Sequence, residues 1–175
     1  MKLSQLKIEY QPLDDRVLVR VATDQGSEVV LALTRRCVKL LWPALVGLAR
    51  TSPELAVHAD PLARDAVLGF QHEQAVRQAD FSRPYEPEVR ERPLGEAAIL
   101  VARIHTGRDA AGLAVLTLQP MEGQGISLTL DATLLHASCT LLQKAVHASD
   151  WDLRLSLPDA GAPAGDAANG ASLLN

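Results

Sequence analysis

Residues 16–50, RVLVRVATDQGSEVVLALTRRCVKLLWPALVGLAR, and residues 113–147, LAVLTLQPMEGQGISLTLDATLLHASCTLLQKAVH, decide the fold, because the second run repeats the pattern of the first without a gap. In the first run Val17, Val19 and Val21 share one face and Arg16 and Arg20 the other, the period-two alternation of a half-buried strand. Asp24-Gln25-Gly26 supplies a turn, glycine tolerating the positive φ that a tight hairpin needs. Val29, Leu31 and Leu33 then alternate in the next strand. Thr34 is placed to cap a helix, its hydroxyl accepting an orphan backbone N–H. Beyond it Cys37, Val38, Leu41, Ala44, Leu45 and Leu48 recur at helical spacing as a broad apolar stripe. An offset of 97 residues lays Leu18 on Val115, Val21 on Leu118, Gly26 on Gly123, Leu33 on Leu130 and Val38 on Leu135. It also sets the cap Thr34 on Asp131, and Ala44 and Leu45 on Leu141 and Leu142. Few identities are shared, so the correspondence is one of pattern.

Working outward, residues 3–10 read as a strand with Leu6, Ile8 and Tyr10 on one face, and Pro12 to Asp15 as the turn after it. In the second half the spacing predicts strands at 97–105, 112–119 and 126–130, a turn at 106–109, and a helix from Asp131 to His147. Pro43 deletes a hydrogen bond inside the first helix and predicts a bend or a split there. Between the halves, 61–79 reads as a helix. The stretch 81–96, with Pro84, Pro87 and Pro93 among charges of both signs, reads as an exposed extended connector. Trp151, Leu153, Leu155 and Leu157 alternate as a short seventh strand ended by Pro158. The expected fold class is therefore α+β: two similar units of a three-stranded antiparallel meander plus helix, joined by a helical and proline-rich connector, with a short final strand. Residues 1–158 are expected to form a single domain with pseudo-repeats at about 3–50 and 97–147 and the connector at 51–96. Residues 159–175, rich in Ala, Gly, Asp and Pro, are expected to be a disordered tail, having too little apolar area to offset chain ordering.

The chain has 175 residues, 47% of them hydrophobic but only 3% aromatic, so its core must be built from Leu, Val and Ala. Each fully buried Leu or Val then contributes roughly 1.5–3 kcal/mol. The formal charge of −4 is concentrated near the end, where Asp150, Asp152, Asp159 and Asp166 face only Arg154. The body is nearly neutral and offers no global field for nucleic acid or an anionic membrane. Two cysteines, no signal-peptide pattern and no long apolar run point to a protein of the reducing cytoplasm, outside the membrane.

No residue pattern specifies a reaction, and no cofactor is expected. Gln71-His72-Glu73-Gln74 matches half of the helical zinc-protease pattern, but Val76 stands where the second histidine is required. His58 and Asp60 read as surface polar residues ahead of the second helix. His136 and Cys139, three apart on the last helix, have the spacing of a metal-ligand or thiolate pair. Leu135, Leu141 and Leu142 surround them, which makes burial the stronger reading. Arg35, Arg36 and Lys39 at the start of the first helix form the candidate anion-binding cluster. A helix N-terminus favours anions and arginine offers bidentate donors.

These residues favour a small non-enzymatic interaction or assembly protein, homo-oligomeric through its unprotected strand edges and open to a protein partner. A duplicated unit of antiparallel strands plus helix over residues 3–157 resembles, in topology, the plant Whirly and Pur-alpha groups of nucleic-acid-binding proteins. That resemblance implies single-stranded nucleic-acid binding on a sheet. The neutral body, and Tyr10 and Trp151 as the only strand aromatics, weigh against it. A third alternative is a small apolar-ligand binder or an enzyme using a cavity between sheet and helices.

Overall fold

The computed structural model describes residues 3–57, 60–79, 84–86 and 88–157. The protein is mixed α+β, with a four-stranded sheet, a three-stranded sheet and three long helices. Strands β1 (Leu3–Gln11), β2 (Arg16–Thr23) and β3 (Glu28–Leu33) form an antiparallel meander that runs into α1 (Arg35–Arg50). The single-turn α2 (Pro53–Ala56) and then α3 (Pro61–Gln78) follow, each capped by the residue before its proline, Ser52 and Asp60. The two-residue β4 (Ile99–Leu100) pairs parallel to β3. A second antiparallel meander of β5 (Arg103–Arg108), β6 (Ala114–Gln119) and β7 (Ile126–Leu130) leads into α4 (Ala132–His147).

The predicted alternation determines what is buried: Val17, Val19 and Val21 point into the core, and β3 is buried at every position. The helices exchange partners. α4, which follows the second meander, packs chiefly on α3 and on β1, and α1 packs on β5 as well as on β3 and α4. Both sheets and both helices thereby contribute to one apolar cluster, with Leu33, Leu45, Leu118 and Leu142 almost completely buried within it. Where these elements meet, the remaining void is only about 30 Å³, room for about one or two waters. Pro43 lies inside α1 on an exposed side, and the helix continues through it unbroken.

The offset of 97 residues carries Arg35–Arg50 onto Ala132–His147 end for end, and the pair Val17↔Leu33 onto Ala114↔Leu130. It fails at the first strand. The pair Leu6↔Val21 would fall on Arg103↔Leu118, whereas Ile104 is the partner of Leu118. A one-residue slip turns a strand's faces over, and here it keeps Ile104 toward the core and Arg103 and His105 outward.

Three expectations require correction. The strand expected at 97–105 is two strands, because the chain leaves one sheet for the other at Val101-Ala102. The Val101 amide donates to the Ala32 carbonyl and the next amide, of Ala102, to the Gln119 carbonyl. The following strand runs on through the expected turn at 106–109 to Arg108. Its turn is set later, where Asp109 Oδ1 accepts from the Ala111 and Leu113 amides and Gly112 takes a φ of 80°. The short strand expected at 151–157 is absent. Residues 151–157 keep their alternation, with Trp151 buried, but among the described residues the segment has no ladder partner and is held to α4 by Gln143 Nε2 donating to the Leu155 carbonyl at 2.7 Å. The connector is mostly exposed over its described residues and is also hydrogen-bonded: the Glu28 amide donates to the Glu91 carbonyl and the Arg90 amide to that of Gly26, tying it along the end of β3. The expected tail at 159–175 lies outside the described residues.

Candidate functional site

Thr34 caps α1 as its position implied, Oγ1 accepting from the Cys37 amide at 3.1 Å. Arg35, Arg36 and Lys39 are all exposed just inside that cap; Lys39 is one turn on from both arginines, while the adjacent Arg35 and Arg36 turn to different sides. Arg35 lies within electrostatic reach of Asp15. Hydrogen bonds from Tyr10 and Trp151 hold the Asp15 carboxyl below its usual range, and Arg16 and Arg35 add smaller contributions. Arg36 instead borders a groove of about 540 Å³ between α1 and the β4–β5 segment, and Lys39 lies outside that groove's lining.

The floor of the groove is apolar. Leu40 and Ala44 come from α1, Val101 and Ile104 from the opposite wall, and Met121 from the β6–β7 turn. Leu40 and Met121 are 59% and 68% exposed and border the same groove, so their apolar surface is contiguous rather than scattered. Arg103 on β5 reaches over Met121, its guanidinium 3.9 Å from Sδ. The groove thus has an apolar floor, with Arg36 in its lining and Arg103 beside Met121 at its rim. Its β5 wall is also a sheet edge, since among the described residues β5 pairs with β6 alone. Of the residues around the groove, Arg36 and Arg103 stand out in the sequence as cations, whereas Leu40 and Met121 carry no signal beyond an apolar residue on the polar face of a helix and one in a turn.

His136 and Cys139 are both buried, yet they are not each other's partners. Cys139 is fully buried, and burial pushes its thiol up to about 12. Cys37 is likewise pushed up to about 11. Both are therefore protonated at neutral pH and unreactive as nucleophiles. His136 faces His72 across the α3–α4 interface, with the two Nδ1 atoms 3.3 Å apart and the rings tilted by 58°. Burial, and secondarily the neighbouring imidazole, lowers the His136 pKa to about 4; burial also lowers that of His72. His136 further borders a cavity of about 140 Å³ reached by Gln71 and Arg108. Asp60 caps α3 through its carboxylate and the Leu62 amide, and His58 lies outside the described residues.

A second polar cluster fastens the connector. Glu28, 3% exposed, accepts from Tyr85 Oη at 2.9 Å and from Arg92 at 3.0 Å, while Ser27 Oγ donates to Glu91 at 2.6 Å. Arg92 also pairs with Glu96. The carboxylate is thus neutralised and hydrogen-bonded, the condition under which a buried charge is tolerated.

Comparison with family models, with curated proteins and with solved structures gives no match to this chain. No helix among the described residues is long and apolar enough to cross a membrane.

Proposed function

We propose that this protein is a non-enzymatic interaction protein that takes up an extended, acidic and apolar segment of a partner protein in the groove between α1 and β5. The observation that carries this reading is the pairing of exposed Leu40 and Met121 with Arg36 and Arg103 along an open strand edge. An extended segment would extend the β5 edge with its main chain, place alternate apolar side chains on Leu40 and Met121, and set carboxylates against the two guanidiniums. In this reading the two meander-and-helix stretches are a duplicated unit, supported by the end-for-end correspondence of α1 with α4. The binding groove lies where they differ: Arg36 and Leu40 correspond to Thr133 and Ala137.

The alternatives draw less support. A base-stacking surface needs open aromatic faces, but Trp151 is buried and meets Tyr10 edge to face at 5.7 Å. An apolar ligand enclosed between sheet and helices needs far more room than the 30 Å³ void there.

The test is selection from a displayed library of random extended peptides on the whole protein. Enriched peptides are expected to alternate Asp or Glu with Leu, Ile, Val or Phe. Their affinity should fall at least about tenfold in a Leu40→Glu, Met121→Glu variant, roughly 1.4 kcal/mol, and should weaken with salt or with Arg36→Glu. No enrichment, or binders indifferent to these substitutions, would overturn the reading.

A further inference from the structure

The His72–His136 pair lies between two helices, outside the groove, and shares no residue with it. A metal ion that binds two imidazole nitrogens at about 2.0–2.1 Å with a tetrahedral angle holds those nitrogens about 3.3–3.4 Å apart. The observed Nδ1···Nδ1 separation is 3.3 Å. The bite distance of a chelate is therefore already present between side chains on two different helices.

We propose that His72 and His136 form a two-histidine site for a divalent ion of the zinc, nickel and copper class, binding through both Nδ1 atoms and clamping α3 to α4. Among the described residues no third His, Cys, Asp or Glu completes a ligand group. The remaining positions fall to water or a small exogenous donor, and the cavity bordered by His136 is the entry path. That composition defines an exchangeable site with open coordination positions rather than a closed structural one.

The chemistry of the pair fits. Imidazole ligates in its neutral form, and burial already favours that form for both rings, so little proton competition remains at neutral pH. In the metal-free protein one Nδ1 carries a hydrogen that it donates to the other. Binding needs both rings as Nε2–H tautomers, so this hydrogen moves from Nδ1 to Nε2 of the same ring and no net proton is released. The mechanical consequence falls on α3, of which only Leu68, Gly69 and Ala75 are buried, against eight residues of α4. A bridging ion would add an attachment to the more weakly anchored helix.

The experiment is titration of the chelator-stripped full chain with Zn²⁺ by calorimetry, repeated with Ni²⁺, alongside thermal unfolding and the histidine Hε1 resonances. Expected are one ion per chain, a metal-dependent rise in Tm and shifts of two histidine resonances. Affinity should fall at least about tenfold in both His72→Gln and His136→Gln. If His136→Gln fails to fold, His72→Gln, at the less buried ring, carries the test. No binding, or binding that persists in the His72→Gln variant through other histidines, overturns the proposal. The peptide selection does not depend on metal, so failure here leaves the groove reading standing, and the converse also holds.

Discussion

Acidification should destabilise this protein earlier than its carboxylates alone would require, and His136 is the reason. In the unfolded chain its imidazole titrates near the ordinary 6.5; in the folded protein burial and the facing His72 lower the pKa to about 4. The sign follows from proton uptake. A group whose folded pKa is depressed is neutral in the native state, so its full contribution is present above about pH 6.5 and is lost as the pH falls toward 4. Each tenfold change in proton affinity is worth about 1.4 kcal/mol, so the whole interval corresponds to about 3 kcal/mol, of which about 2 is gone by about pH 5. Solvent in the adjoining cavity screens part of this, making about 1–2 kcal/mol the expected loss. The assay is urea unfolding at about pH 7.5 and about pH 5, with a chelator present, for the native chain and for His136→Gln. Asp15 and Glu9, held below their usual range by their hydrogen bonds, lose their contribution mostly at still lower pH and do so equally in both proteins. The native chain should lose about 1–2 kcal/mol more than the variant. Equal losses to within about 0.3 kcal/mol would refute the reasoning.

Further outcomes follow from particular local environments. Glu28→Ala leaves the Tyr85 hydroxyl and the Arg92 guanidinium without their buried acceptor, and should cost about 3 kcal/mol in chemical denaturation. Hydrogen exchange of the Arg90 and Glu91 amides should accelerate most, because both bond to Gly26 only while the connector is docked. The glycines should divide by environment. A Cβ at Gly125 would stand 2.1 Å from the Leu118 carbonyl oxygen, so Gly125→Ala must push β6 from the β6–β7 turn and should lower Cm by the equivalent of about 2 kcal/mol or more. Gly47 is inside α1 with open space around it, and Gly47→Ala should instead stabilise by about 0.5–1 kcal/mol.

The groove and the histidine pair differ in how much of them could be read from the chain. Arg36 stands out as a cation at the start of a capped helix, but its partners in the groove come from β5 and the β6–β7 turn. Their convergence depends on α1 packing on β5, a strand of the meander it does not follow in the chain, an exchange that no local pattern encodes. His72 and His136 are 64 residues apart, as are Glu28 and Arg92. Nothing within a helix turn of either member announces the other. Spacing alone sets His136 with Cys139, three residues on. The fold turns that imidazole to α3 instead and buries the thiol.

Strand alternation, the caps Thr34 and Asp131, the turn at Gly26 and the lengths of α1 and α4 were determined by the sequence itself. Their causes act over one to five residues: side-chain period, a hydroxyl or carboxylate beside orphan amides, and a glycine where φ is positive. Tertiary structure alone decided that 99–108 divides between two sheets, that 151–157 finds no ladder, and that the connector docks at Glu28. Those outcomes turn on which edges and acceptors remain open once the core has closed, and an extended apolar segment carries the same alternation whether or not a strand lies beside it.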